Sequence, residues 1–185
     1  MQLRRSVLAL TACGLLLSST AADVQQPHET AQNLRPAPAE TAKVMTDVKY
    51  GLHQRNLMDV WLARSDRPTP VLVSIHGGGF RNGNKSVDPA LRNQCLAAGI
   101  SVVAITYRFS QDAIAPASFH DSARAIQFIR HNANEWNVDP KRIAATGGSA
   151  GAGLSLWLGF HDDLADPDSS DPVLRQSSRL SSALA

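Results

Sequence analysis

Apolar positions recur along the chain at two spacings, and the switch between them marks out the elements. Lys43 to Tyr50 and Asn56 to Ala63, the second carrying Leu57, Met58, Val60, Trp61 and Leu62, read as strands joined by a turn over Gly51 to Arg55. They predict an antiparallel meander that opens a sheet. Arg67-Pro68-Thr69-Pro70 breaks the pattern before Val71 to Ile75, a continuous apolar run of the kind expected of a parallel strand buried on both faces. Asp88-Pro89 then supplies an N-cap and a first-turn proline to a helix through Leu91, Cys95 and Ala98, which Gly99 stops. Ile100 to Thr106 is the next buried strand. Ser118-Phe119-His120-Asp121 has the spacing of a capping box, and it predicts a long helix with Phe119, Ala123, Ile126, Ile129, Ala133 and Trp136 as its inner stripe. Asn137 to Pro140 turns the chain into a strand over Arg142 to Thr146, and Ala150 to Phe160 leaves it with helical character. The order β-β-β-α-β-α-β-α implies an α/β fold with parallel crossover units.

The ends of that pattern differ from its middle. Arg4 and Arg5, the apolar run Ser6 to Leu17 and the small residues Ser18 to Ala22 stand in the order of a secretory signal peptide, residues 1–22, too short for a membrane span. Leu10 to Cys13 resembles a lipobox, so a lipoprotein anchored at Cys13 is the alternative. Apolar residues continue past Cys13, which favours ordinary cleavage and a secreted or periplasmic product. Asp23 to Ala42, rich in Gln, Pro, Ala and Thr without periodicity, reads as a mobile leader. Residues 43–185 form the globular domain. A chain of 185 residues with 43% hydrophobic and 18% charged residues fits one such domain.

Charge narrows the partners. Cleavage after Ala22 removes two arginines and no acid, leaving basic and acidic residues in equal number. The basic footprint of a nucleic-acid-binding protein is absent. Cys95 becomes the only cysteine of the mature chain, and its helical position makes it a small core residue.

Candidate chemistry lies in two glycine-rich corners. Gly147-Gly148-Ser149-Ala150-Gly151 is a G-x-S-x-G nucleophile elbow, placed between a strand and a helix as that motif requires. Glycine at Gly147 and Gly151 avoids collision with neighbouring elements, and the turn presents Ser149 at the top of the sheet. A dinucleotide fingerprint begun at Gly151 and Gly153 fails because Leu156 stands where its third glycine belongs. The second corner, His76-Gly77-Gly78-Gly79-Phe80, directly follows the strand Val71 to Ile75. A phosphate loop over Gly78 to Ser86 fails at Asn84, with Lys85 one place late.

With both motifs in this order, the chain resembles the serine esterases of the α/β-hydrolase fold, specifically the hormone-sensitive-lipase-like bacterial carboxylesterases and the related feruloyl-esterase-like group. The resemblance implies hydrolysis of a small-molecule carboxylic ester without metal or cofactor. It matches Ser149 to the nucleophile, Gly78, Gly79 and Ala150 to the oxyanion donors, and His76 to a histidine that braces the glycine loop, with Gly77, Gly147 and Gly151 as supporting positions. It also implies a later Asp or Glu and then a His. After Ser149 the only histidine is His161, about 18 Å along the helix from the elbow and out of reach. Asp166 to Gln176 looks like the loop before a sixth strand, and Leu180 to Ala185 like that strand's start. The expectation is therefore the N-terminal part of an α/β-hydrolase sheet, antiparallel at its start and then parallel, incomplete after the helix that follows the elbow and lacking the triad acid and base. His120 is the first alternative base, though a histidine in a surface helix's first turn is ordinarily solvated. An amide-cleaving relative, formamidase- or peptidase-like, and a non-catalytic remnant remain as alternative functions.

Overall fold

The computed structural model describes residues 41–185. The signal-peptide reading of residues 1–22, with Cys13, and the leader up to residue 40 lie outside the described residues. The strand expected from Lys43 begins two residues earlier, as β1 (Thr41–Lys49), which pairs antiparallel with β2 (Leu57–Ala63). The chain continues through β3 (Thr69–Ile75), α1 (Pro89–Ala97), β4 (Ser101–Ile105), α2 (Ala117–His131), α3 (Ala133–Trp136), β5 (Val138–Gly147), α4 (Ala150–Phe160) and β6 (Ser182–Leu184). These strands form one sheet in the order β1-β2-β4-β3-β5-β6. β2 runs antiparallel to β4, and β3 lies parallel to β4 and β5, as the crossover helices dictate.

In β2 and β3 buried and half-buried residues alternate, which fixes the face that carries the core. Met58 and Val60 of β2, Val73 and Ile75 of β3, Val103 and Ile105 of β4, and Ile143 and Ala145 of β5 are all fully buried. Ile126 and Ile129 of α2 and Leu154 of α4 join them in the same cluster. Each such side chain contributes about 1.5 to 3 kcal/mol relative to exposure. On the other face α1 packs against β4 and β2, with the Arg92 guanidinium 5.3 Å from the centre of the Trp61 ring. This helix covers Val102 and Ala104, so β4 is buried on both faces. The same expectation for β3 is corrected: Leu72 and Ser74 are only half-buried, because α1 sits over β4 and β2.

Local signals at α1 hold. Asp88 Oδ1 accepts the Leu91 amide at 2.9 Å, Pro89 opens the helix, and Gly99 leaves it with φ of 73°. The capping box at the next helix does not form. α2 begins at Ala117 behind Pro116 with no side-chain cap, which places Ser118 and Asp121 inside its first turns. Asp121 is 3% exposed and engages Arg108, on the segment after β4. The inner stripe from Ala123 to Trp136 is buried as expected, Phe119 partly so, but Asn132 divides it between α2 and α3.

The turn into β5 is shorter than its Asn-Val-Asp-Pro sequence suggests. Asn137 alone takes the left-handed conformation, and Val138 already pairs with Thr69. β6 does run parallel to β5, through Ala144↔Ser182 to Thr146↔Leu184, so β5 is paired on both sides. The segment between α4 and β6 is tied down by α2. Gln127 Nε2 donates to the carbonyls of Leu164, Leu174 and Gln176, and Arg130 donates to those of Pro140, Ser177 and Arg179. No described helix is long and apolar enough to cross a membrane.

Candidate active site

Both glycine corners lie at the C-terminal ends of adjacent parallel strands, β3 and β5, because those strands pair in register from Val71↔Ile143 to Ile75↔Gly147. The pairing brings His76–Phe80 beside Gly148–Ala150. A Cβ at Gly77 would stand 2.7 Å from the Gly148 carbonyl oxygen. One at Gly151 would run into the Ile75 carbonyl and come within 2.8 Å of that of His76. Only glycine lets α4 seat this closely on the end of β3.

Ser149 occupies the residue before α4 with φ of 54° and ψ of −118°, a conformation costly for a non-glycine residue. Serine at this position ordinarily caps its helix by accepting an amide of the first turn. Ser149 makes no such bond and is exposed, so its hydroxyl is left free of a structural task. Nor does it bond to any histidine or carboxylate among the described residues. Ala150, the first residue of α4, has no intrahelical acceptor for its amide.

The glycine loop presents further donors. Gly78, Gly79, Phe80 and Gly83 have φ of 110°, 59°, 59° and 120°. The Gly78 carbonyl accepts the amides of Arg81 and Asn82 at 3.0 and 3.2 Å, closing a tight turn. No hydrogen bond to a described residue uses the Gly78 or Gly79 amide. His76 lies beneath this turn, 9% exposed and stacked on Tyr107 with ring centres 4.4 Å apart. Its Nδ1 is 2.6 Å from the Gly77 carbonyl oxygen; a carbonyl only accepts, so the proton sits on Nδ1. Nε2 is buried without a partner. Burial pushes the His76 pKa below the usual histidine value; the bond to Gly77 offsets part of this and the nearby Arg55 adds to it.

The structure thus brings His76, Gly77, Gly78, Gly79, Gly147, Ser149, Ala150 and Gly151 together. None of the other described histidines is hydrogen-bonded to the serine. His161 is exposed beyond the end of α4, 4.1 Å from the Trp157 ring, and donates from Nδ1 to the Asp162 carbonyl. His120 is exposed beside the same tryptophan, and His53 Nδ1 accepts the Arg55 amide. Asp163 accepts the amides of Ala165 and Ser178, and Asp171 pairs with Arg124. Sequence reasoning missed Tyr107, whose hydroxyl donates to the His76 carbonyl at 2.8 Å. It also missed Arg55, which donates to the carbonyls of Tyr107 and Gly83. Both act across long sequence separations that no local pattern marks.

The chain as a whole has counterparts among known proteins. The sequence pattern described as BD-FAE matches residues 58–182, from β2 to the start of β6. The chain belongs to the BD-FAE family. Esterase LipQ of Mycobacterium tuberculosis is 35% identical over 136 residues, 70% of this chain and 30% of that protein. Carboxylesterase NlhH of the same species is 39% identical over 90 residues, 48% of this chain and 28% of that protein. Among solved structures, the acetyl ester-xyloside bifunctional hydrolase of Caldicellulosiruptor lactoaceticus superposes with a TM-score of 0.62 at 29% identity, covering 69% of this chain and 48% of that one. A truncated carbohydrate esterase from gut microbiota gives 0.67 at 28% identity, covering 78% and 56%. The BD-FAE chain therefore spans less than a third of these curated relatives and about half of these solved chains. Its mixed six-stranded sheet with flanking helices is that of the α/β-hydrolase fold.

Proposed function

We propose that this chain carries the nucleophile and oxyanion hole of an exported serine hydrolase that cleaves carboxylic esters through an acyl-enzyme. The observation that carries the reading is the pairing of an uncapped, exposed Ser149 at the start of α4 with the uncommitted Gly78 and Gly79 amides across a glycine-only contact. Ser149 Oγ attacks the ester carbonyl carbon and passes its proton to water, which returns one to the departing alcohol oxygen. The carbonyl oxygen becomes an oxyanion that accepts from the amides of Gly78, Gly79 and Ala150, and the α4 N-terminus adds its positive end. Collapse expels the alcohol, and water then hydrolyses the acyl group from Oγ. Gly77, Gly147 and Gly151 keep the two corners in contact, and His76 braces the loop as a buried neutral ring. The names of the relatives, esterase and carboxylesterase, favour an ester over an amide substrate.

None of the described histidines serves as the base. His76 is committed to Gly77 and Tyr107, and His120 and His161 stand beside Trp157. The order of charged, apolar and small residues in 1–22 supports export, to the periplasm or outside the cell. The test of the reading is hydrolysis of an aryl acetate against the matching anilide by the chain and by Ser149→Ala. Release from the ester that Ser149→Ala removes supports the proposal; equal rates in both proteins overturn it.

A further inference from the structure

Arg55 lies in the loop between β1 and β2, remote in sequence from both glycine corners, yet its side chain reaches the glycine loop. The central carbon of its guanidinium stands over the Phe109 ring, 3.4 Å from the ring centre, where cation–π attraction holds it. From there Nε donates to the Tyr107 carbonyl at 2.8 Å, and Nη2 donates to the Gly83 carbonyl at 3.2 Å. The backbone of Arg55 is fixed as well: Thr106 Oγ1 donates to its carbonyl at 2.5 Å, and its amide donates to His53 Nδ1 at 3.2 Å. Asp112, whose carboxylate stands 4.0 Å from Nε, accepts the Phe109 amide and so holds this platform.

Each end of this bridge bears on the loop. Gly83 packs against the His76 ring so closely that a side chain there would strike Nδ1, and the same Nδ1 holds the Gly77 carbonyl. Tyr107 stacks on that ring and donates to the His76 carbonyl. Arg55 therefore grips the loop at Gly83 and the post holding its root at Tyr107. Lysine, with one point charge, cannot fill both roles. The geometry points to Arg55 as a positioning residue, whose two carbonyl bonds set the direction of the Gly78 and Gly79 amides relative to Ser149. This rests on the reading of those amides as oxyanion donors.

The experiment uses the full chain, with Arg55→Ala, Arg55→Lys, and Arg92→Ala as a distant control on α1. Amide hydrogen exchange of the segment 77–84 reads the brace without any chemistry, since the Arg81 and Asn82 amides close the turn on Gly78. Labelling of Ser149 by a fluorophosphonate, resolved into KI for binding and kinact for the chemical step, reads its consequence. Both Arg55 variants should exchange faster over 77–84 with β3 and β4 unchanged. Their kinact should fall about tenfold to a hundredfold, the range for a displaced catalytic group, with KI unmoved. A merely structural role moves stability or KI and spares kinact. Unchanged exchange over 77–84 in both variants, or an unchanged kinact, overturns the proposal. A wild-type chain that never labels at Ser149 overturns the esterase reading instead, and the exchange result then decides the brace alone. If Arg55→Ala fails to fold, Arg55→Lys, which keeps the charge and stem but loses the fork, carries the test.

Discussion

Replacing Asp121 separates two physical accounts of the same residue by magnitude. As the fourth residue of a capping box, its side chain would contribute about 1 kcal/mol. The structure instead buries it against Arg108. One carboxylate oxygen accepts the Arg108 amide and Nε, both at 2.9 Å, and the other accepts Nη2 at 2.7 Å. Removing one partner of a buried ion pair costs about 3 to 5 kcal/mol, because the other is left uncompensated. The Arg108 side chain is 31% exposed, so water recovers part of that loss. The expected cost of Asp121→Ala is therefore about 3 kcal/mol, or a Tm roughly 6 to 12 °C lower at this chain size. Urea unfolding of wild type, Asp121→Ala, Arg108→Ala and the double variant supplies the assay. The two losses should be non-additive, with a coupling of about 2 kcal/mol, within the range for residues in direct contact. A cost near 1 kcal/mol, or additive single losses, would refute the ion-pair account and restore the cap.

Two further expectations concern other parts of the chain. The buried His76 favours its neutral form, so its contribution to stability is fully present above its ordinary pKa of 6.5 and is lost as pH falls from there through its lowered folded value. Urea midpoints of wild type and His76→Gln should accordingly lie further apart at pH 7.5 than at pH 5.5; a gap that is constant or widens on acidification contradicts the buried neutral ring. Export should leave Asp23 as the first residue, read by mass spectrometry of the exported protein, whereas an intact Met1 or a lipidated Cys13 would contradict cleavage after Ala22.

Features that depend on neighbours in sequence were legible before the fold was known. Apolar runs placed β2 and β4, the glycine corners announced the elbow and its facing loop, and α4 spans Ala150–Phe160 as its small-residue run implied. What escaped depends on partners far along the chain. The letters Ser118 to Asp121 are those of a capping box, but Asp121 has a guanidinium within reach from thirteen residues upstream. A charged fork outcompetes a helix-end amide for a buried carboxylate. Arg55 reads as an ordinary turn residue, since its acceptors lie 52 and 28 residues away. The half-exposed face of β3 was equally hidden, because an apolar run does not reveal which strand a helix will cover.

The central claim is that Ser149 is a nucleophile facing an assembled oxyanion hole whose base is none of the described histidines. Prolonged incubation of the full chain with a fluorophosphonate, followed by peptide mass spectrometry, addresses it most directly. The account predicts a single covalent adduct on Ser149, absent from Ser149→Ala. It should form faster than on a free serine but far more slowly than with an activating base, whose loss leaves roughly 10³ to 10⁴ of residual catalysis over water. An adduct on another residue, or no adduct at all, would contradict the nucleophile. Serine-dependent turnover of an activated acetate ester near 1 s⁻¹ or above, an ordinary enzymatic rate of that order, would contradict the claim that none of the described histidines is the base.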